Sequence, residues 1–480
     1  MLEASRVEEE VIEAQINALQ EASKIIRKTR SVITAFNTNI DALHFLKSVE
    51  LEEIISRFDG KTLRESMINP PNKIVKEEDF LAGLLLSMET GRGMEWIIES
   101  EDAFEWIEEN FPTDEYRMGG LAGILANVLA RLNVGKIYPH VASLPELQAK
   151  LFFKGESIKI PVTKGEFLSF ESPSRAVRQD DEPLIHHIFE YPAGLRVKLN
   201  GELITPSSNR FIATWDEKNT RLHIDESFLE GTKEIIRDVD LAVISGYHMM
   251  RESRHFTRKD CFKKIEFTKN LFEEWKKHSD IKIHLELAYF TDLEILSYVL
   301  KLLNRTIDGL GLNEDELIQC INSLGNRELY ARINENPNPK NLLDGMLYLA
   351  TTLDLKNIVV HTRELCIAVS KKPAQKNLLN ALALGNSIAA ARAVTVKYCN
   401  LSEILNVLKE GRLHISEEGL KGFNAITRKL RNKGYRLGGK FSAENANCKL
   451  WFMPTATYKK PLSTVGLGDC FTAGYGLLAY

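Results

Sequence analysis

The sequence predicts an α/β protein, a mostly parallel sheet covered by helices on both faces, with a second, smaller domain set into it. Two observations carry this reading. Short apolar, β-branched runs recur at 31–36 (SVITAF), 136–141 (KIYPHV), 240–246 (DLAVISG), 281–287 (IKIHLEL), 308–312 (DGLGL), 357–362 (NIVVHT) and 449–454 (KLWFMP). Many are separated by helix-like stretches, such as 119–132, 262–277 and 292–303, and strands alternating with helices build parallel sheets. Two regions break this rhythm. Residues 46–117 are rich in charge and helix formers, and residues 151–225 carry short alternating segments with turn residues. Within the latter, GLRVKLNGELITP reads as a β-hairpin around Asn200 and Gly201. The expected partition is a large domain of 1–45, 118–150 and 226–480, and a discontinuous small domain of 46–117 and 151–225. Open α/β sheets bind ligands at the carboxyl ends of their strands, so the small domain is expected to cover that edge.

Composition sets outer limits. The 480 residues are 44% hydrophobic and 27% charged, ample material for a core. The net charge of -4, from 62 basic and 66 acidic residues, argues against a chain-wide electrostatic grip on nucleic acid. Six scattered cysteines (261, 320, 366, 399, 448 and 470) form no CxxC pair and are expected to be reduced structural thiols. The charged N-terminus reads as an amphipathic helix, with Val11, Ile12, Ile16 and Leu19 at helical spacing, and not as a signal peptide. No run of about 18 uncharged apolar residues suggests a membrane span. A cytoplasmic protein with neither nucleic-acid nor membrane partners is expected, as a monomer or a small homo-oligomer.

Two glycine-rich stretches invite a phosphate. GYRLGGKF (434–441) nearly fits the Walker A pattern, but Phe441 stands where Ser or Thr must hold a metal, and the stretch follows a helix instead of a strand. STVGLGDCFTAGYG (463–476) is different. Gly466 and Gly468 permit a tight turn, and a helix starting near Asp469 points its free N–H groups at the loop. Asp469 is then either a simple N-cap or a general base beside a bound phosphoryl group. FNTNIDAL puts Asn39 and Asp41 at the carboxyl end of the first strand, where an Asx turn is the plain alternative. RMGGLAGILANVLARL opens a long helix with Gly119 and Gly120. Glu286 ends one strand, and Asn313 and Glu316 end the next; such carboxylates hold Mg²⁺ directly or through water, or are solvated loop acids.

Taken in order, NTNID, GG-AG, HLE, N-xx-E, HT and TVGLGD resemble the ADP-dependent sugar kinases of the ribokinase-like superfamily, over about residues 31–476. The resemblance implies a ribokinase-like fold, with a large α/β/α domain and a smaller α/β lid. It implies transfer of the β-phosphoryl group of ADP to a sugar hydroxyl, with ADP as donor and Mg²⁺ as cofactor. Asp469 matches the catalytic base, and Gly466, Leu467 and Gly468 match the anion hole at the helix start. Arg210 matches a lid arginine that meets phosphate, either ADP's or the sugar's. Glu286, Asn313 and Glu316 match the network around Mg²⁺. Asn39, Asp41, Gly119 and Gly120 match sugar contacts, and His361, Thr362 and Val465 lie in stretches that approach the nucleotide.

The acceptor is glucose, fructose 6-phosphate or both. Glu95 aligns with a glutamate, and His186 with a histidine, that glucokinases of the family place on the sugar. Ile185 stands where its phosphofructokinases carry a lysine for the 6-phosphate. Against glucose, Leu121 replaces a sugar-binding Gln of many members, and His187, Arg196 and Lys198 offer cations for a sugar phosphate. Two other readings compete: an ATP-dependent ribokinase-like kinase of a nucleoside or vitamin, and a non-catalytic sugar or nucleotide sensor on the same fold.

Overall fold

The computed structural model describes residues 2–253, 255–373, 378–458, 462 and 466–480. Its main sheet has ten strands, in the order Arg436–Leu437, Ser442–Glu444, Cys448–Pro454, Leu365–Lys371, Asn357–His361, Gly309–Leu312, Lys282–Glu286, Leu241–Ile244, Ser31–Ala35 and Lys136–Pro139. The last six run parallel. Strands such as SVITA, LAVI and GLGL are buried at every residue, as expected when helices cover both faces. The other four strands are antiparallel. Leu365–Lys371 is a strand that the sequence reading passed over. Only residues 362–364 join it to Asn357–His361, too few for a parallel crossover, so the chain turns back as a hairpin.

The second sheet has six strands, in the order Lys73–Ile74, Met94–Ile98, Asn209–Trp215, Ile185–Tyr191, Asn39–Phe45 and Glu115–Gly119. The period of two sorts its faces. Trp96, Phe189 and Phe211 pack into a separate core with Phe80 of the helix Glu77–Thr90. Their neighbours Glu95, His186, Ile188, Arg210 and Ile212 face the large sheet instead. Asn39 and Asp41 therefore lie on a strand of this second sheet and not in an Asx turn. The hairpin Ile160–Lys164 and Phe167–Glu171 packs against the helix Glu226–Ile235, and Ile158, Ile160 and Ala176 enter the core of the large sheet. The small hairpin expected at Asn200 and Gly201 is present, with both residues at positive φ.

The N-terminal helix Leu2–Ile26 buries Val11 and Leu19 in the large core, and Ile12 and Ile16 pack half-buried beside it. All six cysteines are buried and free. Phe441 of the Walker-like stretch is buried against Phe423, so that segment is an edge turn and not a phosphate loop. No helix among the described residues is long and apolar enough to cross a membrane.

Candidate active site

The helix Leu467–Ala479 begins at Gly466, whose φ of 71° is a left-handed conformation that glycine adopts without strain. The backbone N–H groups of Leu467, Gly468 and Asp469 find no acceptor among the described residues. Together with the helix dipole they form a site that attracts negative charge. Asp469 does not cap this helix, and its carboxylate has no hydrogen-bond partner among the described residues. It lines a cavity. Burial, with Glu286 and Asp41 nearby, pushes it up to about 7.

Two cavities meet at this helix end. The first, of about 270 Å³, lies between the two sheets and is lined by Asn37, Asn39, Asp41, Glu95, Gly120, His186, Arg210, His248, Gly466 and Asp469, with Leu121, Ile188, Ile212 and Met249 as apolar wall. The second, of about 410 Å³, is lined by Leu467 and Gly468, by Asn313, Glu314, His361, Thr362 and Arg363, and by an alanine face (Ala389, Ala390, Ala393) with Tyr458 and Phe471. Asp469 thus faces one cavity, and the next residue back faces the other.

In the first cavity the polar groups brace each other. Asn39 Nδ2 donates to Asp41 Oδ1 at 2.7 Å, beneath Gly119. A Cβ on Gly119 would stand 2.0 Å from that oxygen, so the glycine is what lets the pair cross the neighbouring strand. Burial raises Asp41 to about 6, partly offset by the charge of His186 and the bond from Asn39. Glu95 lies open to the cavity on a strand, not on a helix face, and Thr214 Oγ1 donates to it at 2.8 Å. The protein packed around it opposes ionisation, but His186 and Thr214 outweigh this and hold it below the usual range. Gly119 itself does not line the cavity; it supports the two residues that do.

On the second cavity's side, Glu286 is 4% exposed. Its Oε1 accepts from His361 Nε2 at 2.8 Å and its Oε2 pairs with His284 Nε2 at 3.1 Å. Burial opposes its ionisation, yet the two histidines hold it down at about 2. Asn313 and Glu316 close a capping box on the helix Glu314–Ser323, and burial lifts Glu316 to about 8. Thr362 braces the turn to Leu365 through its hydroxyl. Among the described residues no three His, Cys, Asp or Glu side chains converge into a metal shell. The donor set still fits a hydrated divalent cation. Glu286, Glu314 and Glu316 are three acids around one histidine, and Mg²⁺ characteristically keeps most of its waters. Glu286 is committed to two histidines, so any contact it made with a cation would run through water.

Arg210 lines the first cavity beside Asp41 and does not line the second. Val465 lies outside the described residues. Ile185 packs with Ile40 and Ala42 away from the cavity, and His187, Arg196 and Lys198 do not line it either. Sequence reasoning missed His248, Ser245 and Met249, although SGYHMM follows a strand end as NTNID does. It also missed the alanine face and Tyr458, which leave no motif.

A family model described as "ADP-specific Phosphofructokinase/Glucokinase conserved region" matches residues 30–478. The chain belongs to this ADP-specific phosphofructokinase/glucokinase family. Among its relatives are an ADP-specific phosphofructokinase of Thermococcus kodakarensis, 30% identical over 94% of this chain and 96% of that one. An ADP-dependent glucose/glucosamine kinase of Pyrococcus furiosus is also 30% identical, over 95% and 96%. A solved structure of an ADP-dependent kinase in complex with fructose-6-phosphate and ADPβS superposes with a TM-score of 0.82 at 27% identity, covering 98% of both chains. That of the last common ancestor of ADP-dependent phosphofructokinases from Methanosarcinales gives 0.82 at 28%, with the same coverage. The named phosphofructokinase and the named glucose/glucosamine kinase are thus equally identical to this chain.

Proposed function

We propose that this family member transfers the β-phosphoryl group of ADP to a hexose hydroxyl, and that an unphosphorylated hexose such as glucose is its better acceptor. The observation that carries the reading is the start of the helix Leu467–Ala479. Gly466 and Asp469 face one cavity, and Leu467 and Gly468 face the other. A group passing between the cavities travels past free N–H donors and an unpartnered carboxylate. In the reaction the acceptor hydroxyl gives its proton to Asp469, its oxygen bonds the β-phosphorus, and AMP departs with the electrons of the broken P–O bond. The free N–H groups meet the charge that gathers on the equatorial oxygens. The alanine face with Tyr458 and Phe471 offers a flat apolar slot for adenine.

Glu286, Glu316 and Asn313 would hold Mg²⁺, which when bound would neutralise the phosphate oxygens. Arg210, on the small sheet, approaches the transferring group from the acceptor side. The small sheet is the lid, with its strands from 39–45, 73–119 and 185–215; closure excludes water as a competing acceptor.

Preference for a bare sugar rests on charge. The acceptor cavity carries Asp41, Glu95, Asn37 and Asn39, a set of hydroxyl partners, and no lysine among the described residues lines it. Fructose 6-phosphate is the second reading, favoured by Arg210 and by the relatives that use it.

The test is AMP release from ADP with Mg²⁺, against glucose and fructose 6-phosphate separately. Turnover with glucose at the higher kcat/KM supports the proposal. Turnover with fructose 6-phosphate alone overturns the acceptor preference, turnover with both at similar kcat/KM makes the enzyme bifunctional, and turnover with ATP alone removes ADP as donor.

A further inference from the structure

A buried acid behind the acceptor cavity has no part in the reaction above. Asp216 follows the strand Asn209–Trp215, and its side chain is 0% exposed. Its Oδ2 lies 3.0 Å from His186 Nε2 and accepts from Asn219 Nδ2 at 2.6 Å, while its Oδ1 accepts from Asn219 N at 2.9 Å. Asn219 Nδ2 also reaches Thr38 O, at 3.0 Å, one residue before Asn39. No lysine or arginine pairs with Asp216 among the described residues. His186 is therefore the one titratable group that compensates this carboxylate. The other ring nitrogen, Nδ1, has no protein partner among the described residues and is not sealed from the cavity.

We propose that Asp216 is a positioning residue for the acceptor sugar: it fixes His186 with Nε2 turned inward and Nδ1 presented to the cavity, and it serves as the charge partner of the ring. This rests on the reading of that cavity as the sugar site. The physical reason is that a carboxylate hydrogen-bonded to one imidazole nitrogen selects the tautomer and stabilises the imidazolium. The groups facing the ring agree. Asp216, Glu95 and Asp41 favour its charged form, His248 and His187 oppose it, and Arg210 stands beyond Asp41. Burial is the largest single effect and opposes the charge; the Asp216 bond, together with the charges of Asp216, Glu95 and Asp41, outweighs it and holds the ring above its ordinary range. As a cation, His186 donates from Nδ1 to a sugar hydroxyl and lets Asp41 and Glu95 both stay ionised as acceptors.

The plain alternative is that Asp216 only caps the short helix Glu217–Thr220. The two roles separate by substitution, because Asn and Ser cap helices well whereas Ala does not. The experiment compares wild type, Asp216→Asn, Asp216→Ser and Asp216→Ala as full chains, with thermal melts as a check on folding. Readouts are sugar KM, ADP KM and kcat at pH 8 and pH 5.5, and the His186 titration followed by NMR on histidine-labelled protein. The expected result is that Asn and Ser each raise sugar KM by about tenfold or more at pH 8, leave ADP KM near wild type, and lower the His186 midpoint by about one unit or more. At pH 5.5 the ring is protonated without Asp216, so the penalty shrinks. An Asn and a Ser variant with wild-type sugar KM, or a penalty independent of pH, overturns the proposal. His186→Gln is the reference: if it too leaves sugar KM unchanged, the cavity is not the sugar site and the functional reading fails. If it raises KM while Asp216→Asn does not, only the role of Asp216 fails.

Discussion

His361 Nε2 stands 2.8 Å from Glu286 Oε1, bridging two strands of the large sheet across the strand Gly309–Leu312 between them, directly behind the start of the helix that carries Asp469. His361 also stacks near Phe471 of that helix, at 4.8 Å between ring centres. The pair is buried, so removing His361 leaves the Glu286 carboxylate with His284 as its remaining partner and one oxygen unmatched. His361→Ala is expected to lower stability by about 3 kcal/mol, and the double variant Glu286→Gln with His361→Ala is expected to lose less than the sum of the two single variants. Denaturant unfolding of the two single variants and the double variant measures the coupling, and a coupling near zero would show that the contact carries no net energy.

Asp469→Asn keeps the shape of the side chain and removes the proposed base. kcat is expected to fall by about 10²- to 10⁴-fold, the usual worth of a general base. ADP affinity by calorimetry should stay close to wild type, since the N–H groups at the helix start are untouched. A variant with more than about a tenth of the wild-type rate would take the role of base away from Asp469.

Gly119→Ala tests the floor of the acceptor cavity. The new methyl would come within 2.0 Å of Asp41 Oδ1 and 2.2 Å of Asn39 Nδ2, so both must move. Sugar KM is expected to rise by about tenfold or more, from the loss of a charged hydrogen bond. The ADP dissociation constant should not change. Equal damage to both substrates would mean that the whole cleft is distorted.

The small sheet carries a pH liability of its own. His44 and His187 share a hydrogen bond of 3.0 Å within it, and burial pushes them down to about 4 and about 3. The unfolded chain takes up these protons near 6.5, so it binds more protons than the folded protein between those values. Stability is therefore full above pH 6.5 and is lost as pH falls toward 4, on the order of 3 kcal/mol for each histidine. Melting temperature should fall through this window. His44→Phe, whose ring already has Phe189 stacked at 4.5 Å, should flatten the slope. An unchanged slope would assign the acid sensitivity elsewhere.

Much of the large domain was legible because its strands are buried on both faces and so read as continuous apolar runs. Glycine turns leave a local mark too, and GLGD announced the helix start. The antiparallel half was less legible. Leu365–Lys371 differs from a parallel strand only in the three-residue connection before it. The cavity residues fared unevenly for the same kind of reason. Asn39, Asp41 and Asp469 sit in compact motifs, whereas Asp216 and His248 matter only through what the fold lays beside them. Ile185 was the opposite case. It stands next to His186 in the chain, but on a strand adjacent residues point to opposite faces, and it never meets the cavity.

The first strand of the large sheet ends at Ala35, and the acceptor-binding strand of the small sheet begins at Asn39. Three residues, Phe36, Asn37 and Thr38, are the whole covalent bridge between the two sheets at this point, and Asn37 itself lines the acceptor cavity. Such a short pivot leaves little slack. A swing of the small sheet about it must carry Asn39 and Asp41 through an arc relative to Asp469, which is anchored in the other body. Asn39 and Asp41 on one side and Asp469 on the other then come into register at one angle of the small sheet only, which ties the shape of the cavity between them to the angle between the two sheets.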